Sequence, residues 1–308
     1  MAGCGSEETT TSEEAAAQPI KLGLLPITDN LPFWVAEQKG YFTEEGVEVE
    51  LVNFKSAVNR DSALTADQVD GVLGDIISVA QLNDAGTPVK IVSIGQGVTA
   101  KEGRFAILSS PQSNITDVEQ LKGVGIGCSL KTIMEYIIDQ TLTAKGFSEE
   151  DIKKVQIPQI PLRLEALLNG SLEAAILPDP LAALAEIKGA HVVLEDTDQN
   201  ISQTVIYFRE ETLNENLAGV RAVMRAYARA VQDIQANPDA FTDLLIEKAR
   251  MPEIVAQSDK HGMEIIFSAP ELPTEEQVNR VLNWMKAKNL LKKDLACEDL
   301  IDKRVLNN

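Results

Sequence analysis

Ser129, Lys131 and Thr132 follow the apolar segment VGIGC and stand where a helix is predicted to begin. The first turn of a helix presents unpaired backbone N–H groups and roughly half a positive charge, so it attracts an anion or a carbonyl oxygen. These three residues therefore predict a site for the acceptor end of a ligand. The alternative is that Ser129 only caps the helix.

Asp75 and Asp179 stand where predicted strands end. Asp75 follows Gly74 after a short apolar segment, and Asp179 lies between two prolines. Carboxylates in such loops accept hydrogen bonds from an amine, amide or ring N–H of a ligand. Each charged hydrogen bond contributes about 1.5 to 3 kcal/mol, so two or three of them decide selectivity. The alternative is that each acid caps the helix that follows it.

Aromatic and amide side chains supply further candidates. Phe33 and Trp34 stand at the start of the first predicted helix, where we expect one ring in the core and the other stacked on a flat ligand. Gln96, after IVSIG, and Gln203, just before TVIYF, are additional candidate contacts. Arg104 is a candidate partner for an acidic ligand, but the run KEGR is typical of an exposed turn.

No pattern in the sequence predicts catalysis, a cofactor or a metal site. Cys128 and Cys297 form no CxxC or Cys/His motif, which argues against a zinc or redox motif. Cys128 is the best nucleophile candidate, because a helix N-terminus lowers the pKa of a thiol, but we expect it to be buried and inert. His191 and His261 are predicted to be structural or surface residues. We therefore expect no enzyme, no cofactor and no metal.

The charge balance argues against nucleic-acid partners. The chain has 308 residues, and its 28 basic and 47 acidic side chains give a net charge of −19. Such a charge repels nucleic acid and anionic lipid head groups. With 44% hydrophobic residues and no run of 18 apolar residues, the sequence predicts one large or two medium globular domains and no membrane-spanning segment.

Residues 1–18 resemble the end of a lipoprotein export signal followed by a tether. Ala2-Gly3-Cys4 is similar to the small-small-Cys end of a lipobox, which predicts lipid attachment at Cys4. The alternative is a chance cysteine. The next residues are acidic and rich in Thr and Ala, with no Val, Ile, Leu or aromatic side chain, and are predicted to form a disordered leash. We expect the protein to lie outside the cytoplasm, held at a membrane surface.

From Ile20 onward, short apolar strands alternate with amphipathic helices, a pattern typical of α/β folds with mainly parallel sheets. Pro32 near the first turn and Gly40 past the last one frame the first helix. Five more strand signals follow Phe105, and nearly everything beyond residue 208 is helical. The strands predicted in the first part of the chain are 20–26, 47–54, 70–75 and 89–95.

The C-terminal helices need a sheet to pack on, so we predict that the chain returns to its first lobe. Crossings near 105–110 and 198–204 would divide the chain into lobe 1, residues 19–107 plus 203–308, and lobe 2, residues 108–202. Strand ends then point their loops into a cleft, where open α/β sheets bind ligands. The predicted fold is α/β with two lobes, each with a mainly parallel sheet flanked by helices.

Four segments carry a family resemblance, in this order: LPFWVAEQKGYFTEEGVEVELV, LGD at 73–75, IGCSLKTIMEYIIDQTLTAKGF, and RLEALLNGSLEAAILPDPLAALAE. They are similar to the periplasmic solute-binding proteins of the nitrate/sulfonate/taurine importer family, which includes binders of thiamine pyrimidine precursors. The resemblance covers roughly residues 20–300. It implies a type II, Venus-flytrap protein that hands a small solute to an ABC permease.

Two departures from the family pattern bear on the ligand. The corner is often Trp-Asp-Pro, whereas this chain reads LPDP and lacks that aromatic surface. Asp29 and Asn30 occupy the first loop, where family members differ according to ligand. Weighing Asp29, Asp75 and Asp179 against one arginine, we expect a neutral or partly cationic solute, such as a pyrimidine-like heteroaromatic.

The predicted function is that of a monomeric, extracytoplasmic solute-binding lipoprotein whose lobes close around a small solute and present it to an ABC permease. Binding of a sulfonate or other oxoanion in the same site is one alternative. The fold also hosts enzymes, including pyrimidine synthases and dehydratases of quinone pathways, so an enzyme is a second alternative. A sensor that signals through a membrane partner is a third.

Overall fold

The computed structural model describes residues 19–258 and 263–307, which form two five-stranded sheets flanked by helices. The predicted tether with Cys4, and His261, lie outside the described residues. The strands are β1 (Ile20–Leu24), β2 (Val49–Asn53), β3 (Gly71–Asp75), β4 (Val89–Gln96), β5 (Phe105–Ser109), β6 (Gly125–Cys128), β7 (Lys153–Gln156), β8 (Ala174–Pro178), β9 (His191–Glu195) and β10 (Thr204–Arg209).

Helices cover both sheets. Within the described residues, none of them has the length and apolar character needed to span a bilayer. The α-helices are α1 (Leu31–Lys39), α2 (Tyr41–Glu44), α3 (Ala57–Thr65), α4 (Ile76–Ala85), α5 (Ile133–Ala144), α6 (Ile160–Leu168), α7 (Leu181–Ile187), α8 (Glu210–Glu215), α9 (Leu217–Ala236), α10 (Thr242–Lys248), α11 (Glu253–Ala256), α12 (Glu275–Ala287) and α13 (Cys297–Leu300).

Each sheet has four strands in one direction and a fifth that runs against them. The first sheet has the order β2-β1-β3-β10-β4, in which β10 pairs antiparallel with β3 and β4. The second has the order β7-β6-β8-β5-β9, in which β5 pairs antiparallel with β8 and β9. The remaining neighbours pair in parallel. This arrangement confirms the predicted α/β fold with two lobes and mainly parallel sheets.

The chain passes between the sheets through residues 97–104 and again through residues 196–203. The first crossing lies ahead of the predicted 105–110, because Phe105–Ser109 pairs with Ala174–Pro178 as part of the second sheet. The predicted lobe boundary after residue 107 thus falls within β5. The division into lobes at residues 107 and 203 stays a prediction.

The first helix follows its sequence signals. Pro32 occupies the first turn of α1, where a missing backbone N–H costs nothing. Gly40 ends the helix with a φ of 75°, a left-handed conformation that glycine adopts without strain. These signals set the position of the loop 25–30 at the carboxyl end of β1.

A buried contact joins the lobes along one side. The indole Nε1 of Trp284 in α12 donates to Oδ2 of Asp139 in α5 at 2.9 Å. Its ring packs edge-on against Tyr136 with centroids 5.4 Å apart. Lys154 of β7 pairs with Asp139 at 2.6 Å, so the buried carboxylate has a charged partner. One hydrophobic cluster therefore contains residues of both lobes, such as Ile76 and Ile126.

The two crossings touch at Gly97. This glycine has a φ of 97°, and a Cβ placed on it would lie 2.9 Å from the Cα of Gln203. Gly46 has a φ of 75° but nothing within 4 Å of the same position. A comparison of the two glycines therefore separates the cost of backbone strain, which both share, from the cost of the close contact at Gly97.

We expect Gly97→Ala to destabilise the protein more than Gly46→Ala. A left-handed alanine costs about 1 to 2 kcal/mol at either position, and the contact with Gln203 adds about 1 to 3 kcal/mol at residue 97. Urea unfolding of both variants measures the difference. Equal losses of unfolding free energy would contradict the close approach of the crossings.

Candidate functional site

A cavity of about 480 Å³ lies between the lobes and receives side chains from both. This volume falls in the range of small-molecule sites. The walls are mainly apolar, and they include two aromatic rings, several aliphatic side chains and four prolines. These residues are Leu25, Pro26, Ile27, Phe54, Phe105, Ile133, Met134, Pro158, Ile160, Pro161, Leu164, Pro178 and Leu181. Such walls suit a flat, largely apolar molecule.

The first lobe contributes Asp29, Asp75 and Arg60 to this cavity. Asp29 lies in a short 3-10 helix after β1, and Asp75 ends β3. Asp75 also accepts from the backbone N–H of Ser78 at 2.8 Å, so it caps α4 while it lines the cavity. Both predicted roles of Asp75, helix cap and cavity residue, are therefore compatible.

Arg60 is a cavity residue that the sequence analysis missed. It is 2% exposed, and its guanidinium donates to the carbonyl oxygen of Leu73 at 2.7 Å and to Oδ1 of Asp61 at 2.9 Å. A Cβ on Gly74 would lie 2.7 Å from Nη2 of Arg60, so this glycine makes room for the guanidinium. Packing against Arg60 thus explains the glycine before Asp75, which the sequence alone did not reveal.

Burial sets the protonation of the first-lobe acids. Burial raises the pKa of Asp29 to about 7, against the attraction of Arg60 and hydrogen bonds that lower it. Burial likewise raises the pKa of Asp75, and Arg60 again opposes the shift. For Arg60 itself, burial lowers the pKa, but Asp61 and its other neighbours outweigh this and raise it above the ordinary value. The first-lobe side of the cavity, called the cavity floor below, therefore holds one guanidinium that stays charged and two carboxyl groups that resist ionisation.

In the second lobe, the helix predicted from Leu130 begins later. Helix α5 starts at Ile133, and Thr132 is its N-cap, with Oγ1 accepting from the N–H of Met134 at 3.3 Å. Ser129 and Thr132 line the cavity, whereas Lys131 is exposed, with a φ of 60°, and does not. Ser129 is thus not the helix cap, because its hydroxyl donates to the carbonyl oxygen of Pro158 at 3.2 Å.

Two backbone donors at this turn, the N–H groups of Leu130 and Lys131, already have partners. The N–H of Leu130 donates to Gln156 at 2.7 Å, and the N–H of Lys131 donates to Glu135 at 2.6 Å. The hydroxyl groups of Ser129 and Thr132 also donate, to the carbonyl oxygens of Pro158 at 3.2 Å and of Ser129 at 2.8 Å, so a ligand acceptor would have to replace one of these bonds. The acceptor-binding role of this turn stays a prediction.

Arg104 is buried, contrary to the exposed turn predicted for KEGR. Its guanidinium lies 3.5 Å from Asp179, 2.7 Å from Glu186 and 2.8 Å from Glu195, and its side chain is 5% exposed. The three acids share one cation that a local sequence pattern does not reveal. Burial raises the pKa of Asp179 to about 7, and Arg104 opposes this rise.

Asp179 lines a smaller cavity of about 20 Å³, not the main one. Asp29, Gln96 and Thr204 line the small cavity too. Asp179 also accepts from the N–H of Ala183 in α7 at 3.1 Å, in keeping with the alternative that it caps this helix. Two predicted site residues, Asp29 and Asp179, thus come together across the lobes.

The other predicted site residues lie elsewhere. Phe33 and Trp34 are both buried in the core of the first lobe, where Phe33 packs on Tyr227 with ring centroids 4.9 Å apart. Asn30 is buried and donates to the carbonyl oxygen of Leu25 at 2.9 Å. Gln203 donates to Asn200 and, at 3.3 Å, to the carbonyl oxygen of Gly97 in the other crossing. These four residues support the site and do not line either cavity.

The rim of the main cavity is basic, although the chain carries a net charge of −19. Lys55 and Arg250 are exposed there, and Lys248 pairs with Glu247 at 3.2 Å. These residues carry no shared sequence signal, because Lys55 follows β2, whereas Lys248 ends α10 and Arg250 lies just beyond it. They offer positive charge to a solute that approaches the cavity.

The cysteine and histidine chemistry is simple. Cys128 is buried, and burial raises the pKa of its thiol to about 12, so it does not supply a thiolate at neutral pH. His191 opens β9 and is exposed. Among residues 19–258 and 263–307, no group of three His, Cys, Asp or Glu side chains is arranged to hold a metal ion.

Comparisons with known proteins place the chain among solute-binding folds. The model of the family described as NMT1/THI5 like matches residues 27–241. The riboflavin-binding protein RibY of Chloroflexus aurantiacus is 27% identical over 236 residues. That match covers 74% of this chain and 65% of the relative, just under two thirds of the relative's length.

Solved structures show the same fold at low sequence identity. The periplasmic aliphatic sulphonate-binding protein SsuA from Escherichia coli matches with a TM-score of 0.78 and 17% identity, covering 92% of each chain. The desulfurization enzyme DSZB matches with a TM-score of 0.68 and 16% identity, covering 94% of this chain and 98% of the enzyme. At these identities the likeness concerns the fold alone.

We expect Asp29→Asn to stabilise the ligand-free protein relative to the wild type as pH rises. The raised pKa means that the folded state keeps a proton which the unfolded state releases above pH 4. The free energy of unfolding of the wild type therefore falls between pH 4 and pH 7 and stays lowered above pH 7. From pH 4 to pH 8 the difference in unfolding free energy should move in favour of the variant by on the order of 3 kcal/mol.

Urea unfolding at the two pH values measures this shift. Asp198→Asn, at an exposed position, serves as the control and should leave the difference unchanged. The same pH dependence in both variants would show that burial of Asp29 is not its cause.

Proposed function

The chain belongs to the NMT1/THI5-like family, and we propose that it is an extracytoplasmic solute-binding protein of an ABC importer. The observation that carries the proposal is the cavity of about 480 Å³, which side chains of both lobes line. A solute in that position contacts two bodies at once. It can therefore favour one arrangement of the lobes over another.

The proposed solute is a flat organic molecule of the pyrimidine-like heteroaromatic type. The apolar walls, with Phe54 and Phe105, supply surface for a ring. Asp29 and Asp75 supply acceptors for ring or exocyclic N–H groups. The likeness to a riboflavin-binding protein supports a heteroaromatic solute. Ser129 and Thr132 would accept hydrogen bonds at the opposite end, because their hydroxyl protons are donated to carbonyl oxygens.

Closure is the proposed mechanism. A solute that binds the closed arrangement more tightly shifts the lobes toward it, whereas a solute with equal affinity for both arrangements shifts nothing. The permease of the importer would then recognise the closed shape. Residues 97–104 and 196–203 would act as the hinge. We propose that the protein acts as a monomer.

Attachment to a membrane surface through a lipid on Cys4 is part of the proposal. The support is the small-small-Cys sequence followed by an acidic, Thr- and Ala-rich segment. Mass spectrometry of protein purified from its native membrane would detect the lipid.

A sulfonate is the second candidate solute. Lys55, Lys248 and Arg250 at the rim and Arg60 at the floor supply more positive charge than the sequence analysis assumed. The fold is also shared with a sulphonate-binding protein. The exposed rim charges act in water, where screening weakens them, so we favour the heteroaromatic solute.

Enzymatic activity is the less favoured function, although the fold is shared with a desulfurization enzyme. The nucleophile candidate Cys128 is buried, and its raised pKa keeps the thiol protonated. The hydroxyl groups of Ser129 and Thr132, which also line the cavity, donate to carbonyl oxygens and not to an acid that could activate them. We propose that the chain binds its solute without transforming it.

A thermal-shift panel of pyrimidines, flavins and alkanesulfonates tests the function. A true solute at 100 times its dissociation constant should add about 2.7 kcal/mol to the unfolding free energy. Small-angle scattering with that solute should show a smaller radius of gyration. A stabilising solute that leaves the radius unchanged would contradict closure, and a response to sulfonates alone would contradict the heteroaromatic preference.

Ala57→Leu should weaken binding of the solute found in the panel at least tenfold. Ala57 lines the cavity at the start of α3, so a larger side chain takes up part of the ligand space. Val58, the next residue, is 66% exposed, and Val58→Leu is the matched control. Isothermal titration calorimetry gives both affinities. Equal affinities in the two variants would place the solute elsewhere.

A further inference from the structure

We propose that the small cavity is a subsite for a cationic amino group of the solute, held between Asp29 of the first lobe and Asp179 of the second. The inference rests on the proposed function and names the solute class, a flat organic amine. Its ring would occupy the main cavity. Its ammonium group would reach into the small one.

The two cavities adjoin. The residues that line both are Ile27, Asp29, Phe105, Pro178 and Thr204. The small cavity of about 20 Å³ has room for one group of the size of a water molecule. An ammonium group has a similar size and donates three hydrogen bonds. A ring in the main cavity can thus place one such group in the side pocket.

One carboxylate oxygen of Asp179, a residue that lines this pocket, lacks a partner. Oδ1 of Asp179 accepts from the N–H of Ala183 at 3.1 Å and lies 3.5 Å from Nη1 of Arg104. Oδ2 of Asp179 has no hydrogen-bond partner among the described residues, although the side chain is 4% exposed. Buried polar atoms are almost always paired in folded proteins. A hydrogen-bond donor in the small cavity would supply the partner that Oδ2 of Asp179 lacks.

The excess of acidic groups around Arg104 also favours a cation at this position. Arg104 already serves Glu186 at 2.7 Å and Glu195 at 2.8 Å besides Asp179, so three acids face one guanidinium. Asp29 adds a fourth acid from the opposite lobe. A positive group between Asp29 and Asp179 would offset this excess. Because it contacts both lobes, it would also favour their closed arrangement.

Protonation of Asp29 and Asp179 should make binding at the subsite depend on pH, and this dependence can be measured. Burial raises the pKa of Asp29 and of Asp179 to about 7 each, so the empty pocket is partly protonated at neutral pH. An ammonium group requires the ionised carboxylates, so its binding should strengthen as pH rises from 6 to 8. The charged or titratable groups that act on the pair are Arg60 and Tyr227 beside Asp29, and Arg104, Glu186 and Glu195 beside Asp179.

Benzylamine and benzyl alcohol are matched probes, since they share a ring and differ in the charged group. Calorimetric titration of the full chain should show benzylamine binding at least tenfold more tightly than benzyl alcohol at pH 8. From pH 6 to pH 8 the affinity for benzylamine should rise at least tenfold, since each carboxyl group with a pKa near 7 goes from roughly one tenth to nine tenths ionised. Affinity for benzyl alcohol should stay constant.

Asp179→Asn should lower the affinity for benzylamine at pH 8 at least tenfold and weaken its pH dependence, since only Asp29 then titrates. It should keep the affinity for benzyl alcohol, which shows that the fold is intact. Asp196→Asn is the matched control. Asp196 is also buried, with an unpartnered Oδ2 and a pKa that burial raises to about 6, but it lines neither cavity. This control should retain the preference.

Equal affinities of the wild type for the two probes would overturn the subsite. An undiminished preference in Asp179→Asn, or an equal loss in Asp196→Asn, would overturn it as well. If benzylamine fails to bind while a solute of the thermal-shift panel binds and compacts the protein, the subsite is wrong and the proposed function stands. If no panel solute binds either, both are wrong.

Discussion

The contact between Trp284 and the carboxylate of Asp139 determines how the two sheets face each other. Trp284 comes from the C-terminal helices of the first lobe, and Asp139 from the helix that follows the strand–turn segment of the second. Lys154 and Lys288 balance the carboxylate at 2.6 and 3.4 Å. This side of the interface is therefore a packed, hydrogen-bonded core that joins the two lobes.

Around the cavity, burial raises the pKa of two acids, whereas Arg60 stays charged. Arg60 has carboxyl, carbonyl and hydroxyl partners and stays charged, whereas Asp29 and Asp179 are buried with fewer compensating donors, so their pKa values rise to about 7. Taking these acids out of water costs free energy that the ligand-free protein does not recover. A polar site that is incomplete without its ligand is what selective binding requires, since solutes that lack the matching group leave it unsatisfied.

The sequence predicted the fold better than the site because fold signals are local and periodic. Pro32, Gly40 and the alternation of strands and helices each act within a few residues. Arg60 and Arg104 carry no such signal, since their burial depends on Gly74 and on acids from α7 and β9 that are distant in the chain. By residue type Ser129 is the better N-cap, and only the path of the backbone selects Thr132.

The pairing of β4 with β10 makes the second lobe an insertion in the topological sense. Gln96 and Thr204 are direct partners in the antiparallel ladder, so the chain leaves and re-enters the first sheet at neighbouring points. Phe105 and Asp196 are likewise joined by backbone and side-chain hydrogen bonds where the second sheet begins and ends. A short hairpin turn could replace everything between Gln96 and Thr204 without altering strand order. The first lobe thus has the connectivity of a self-contained domain into which a ligand-facing half has been spliced.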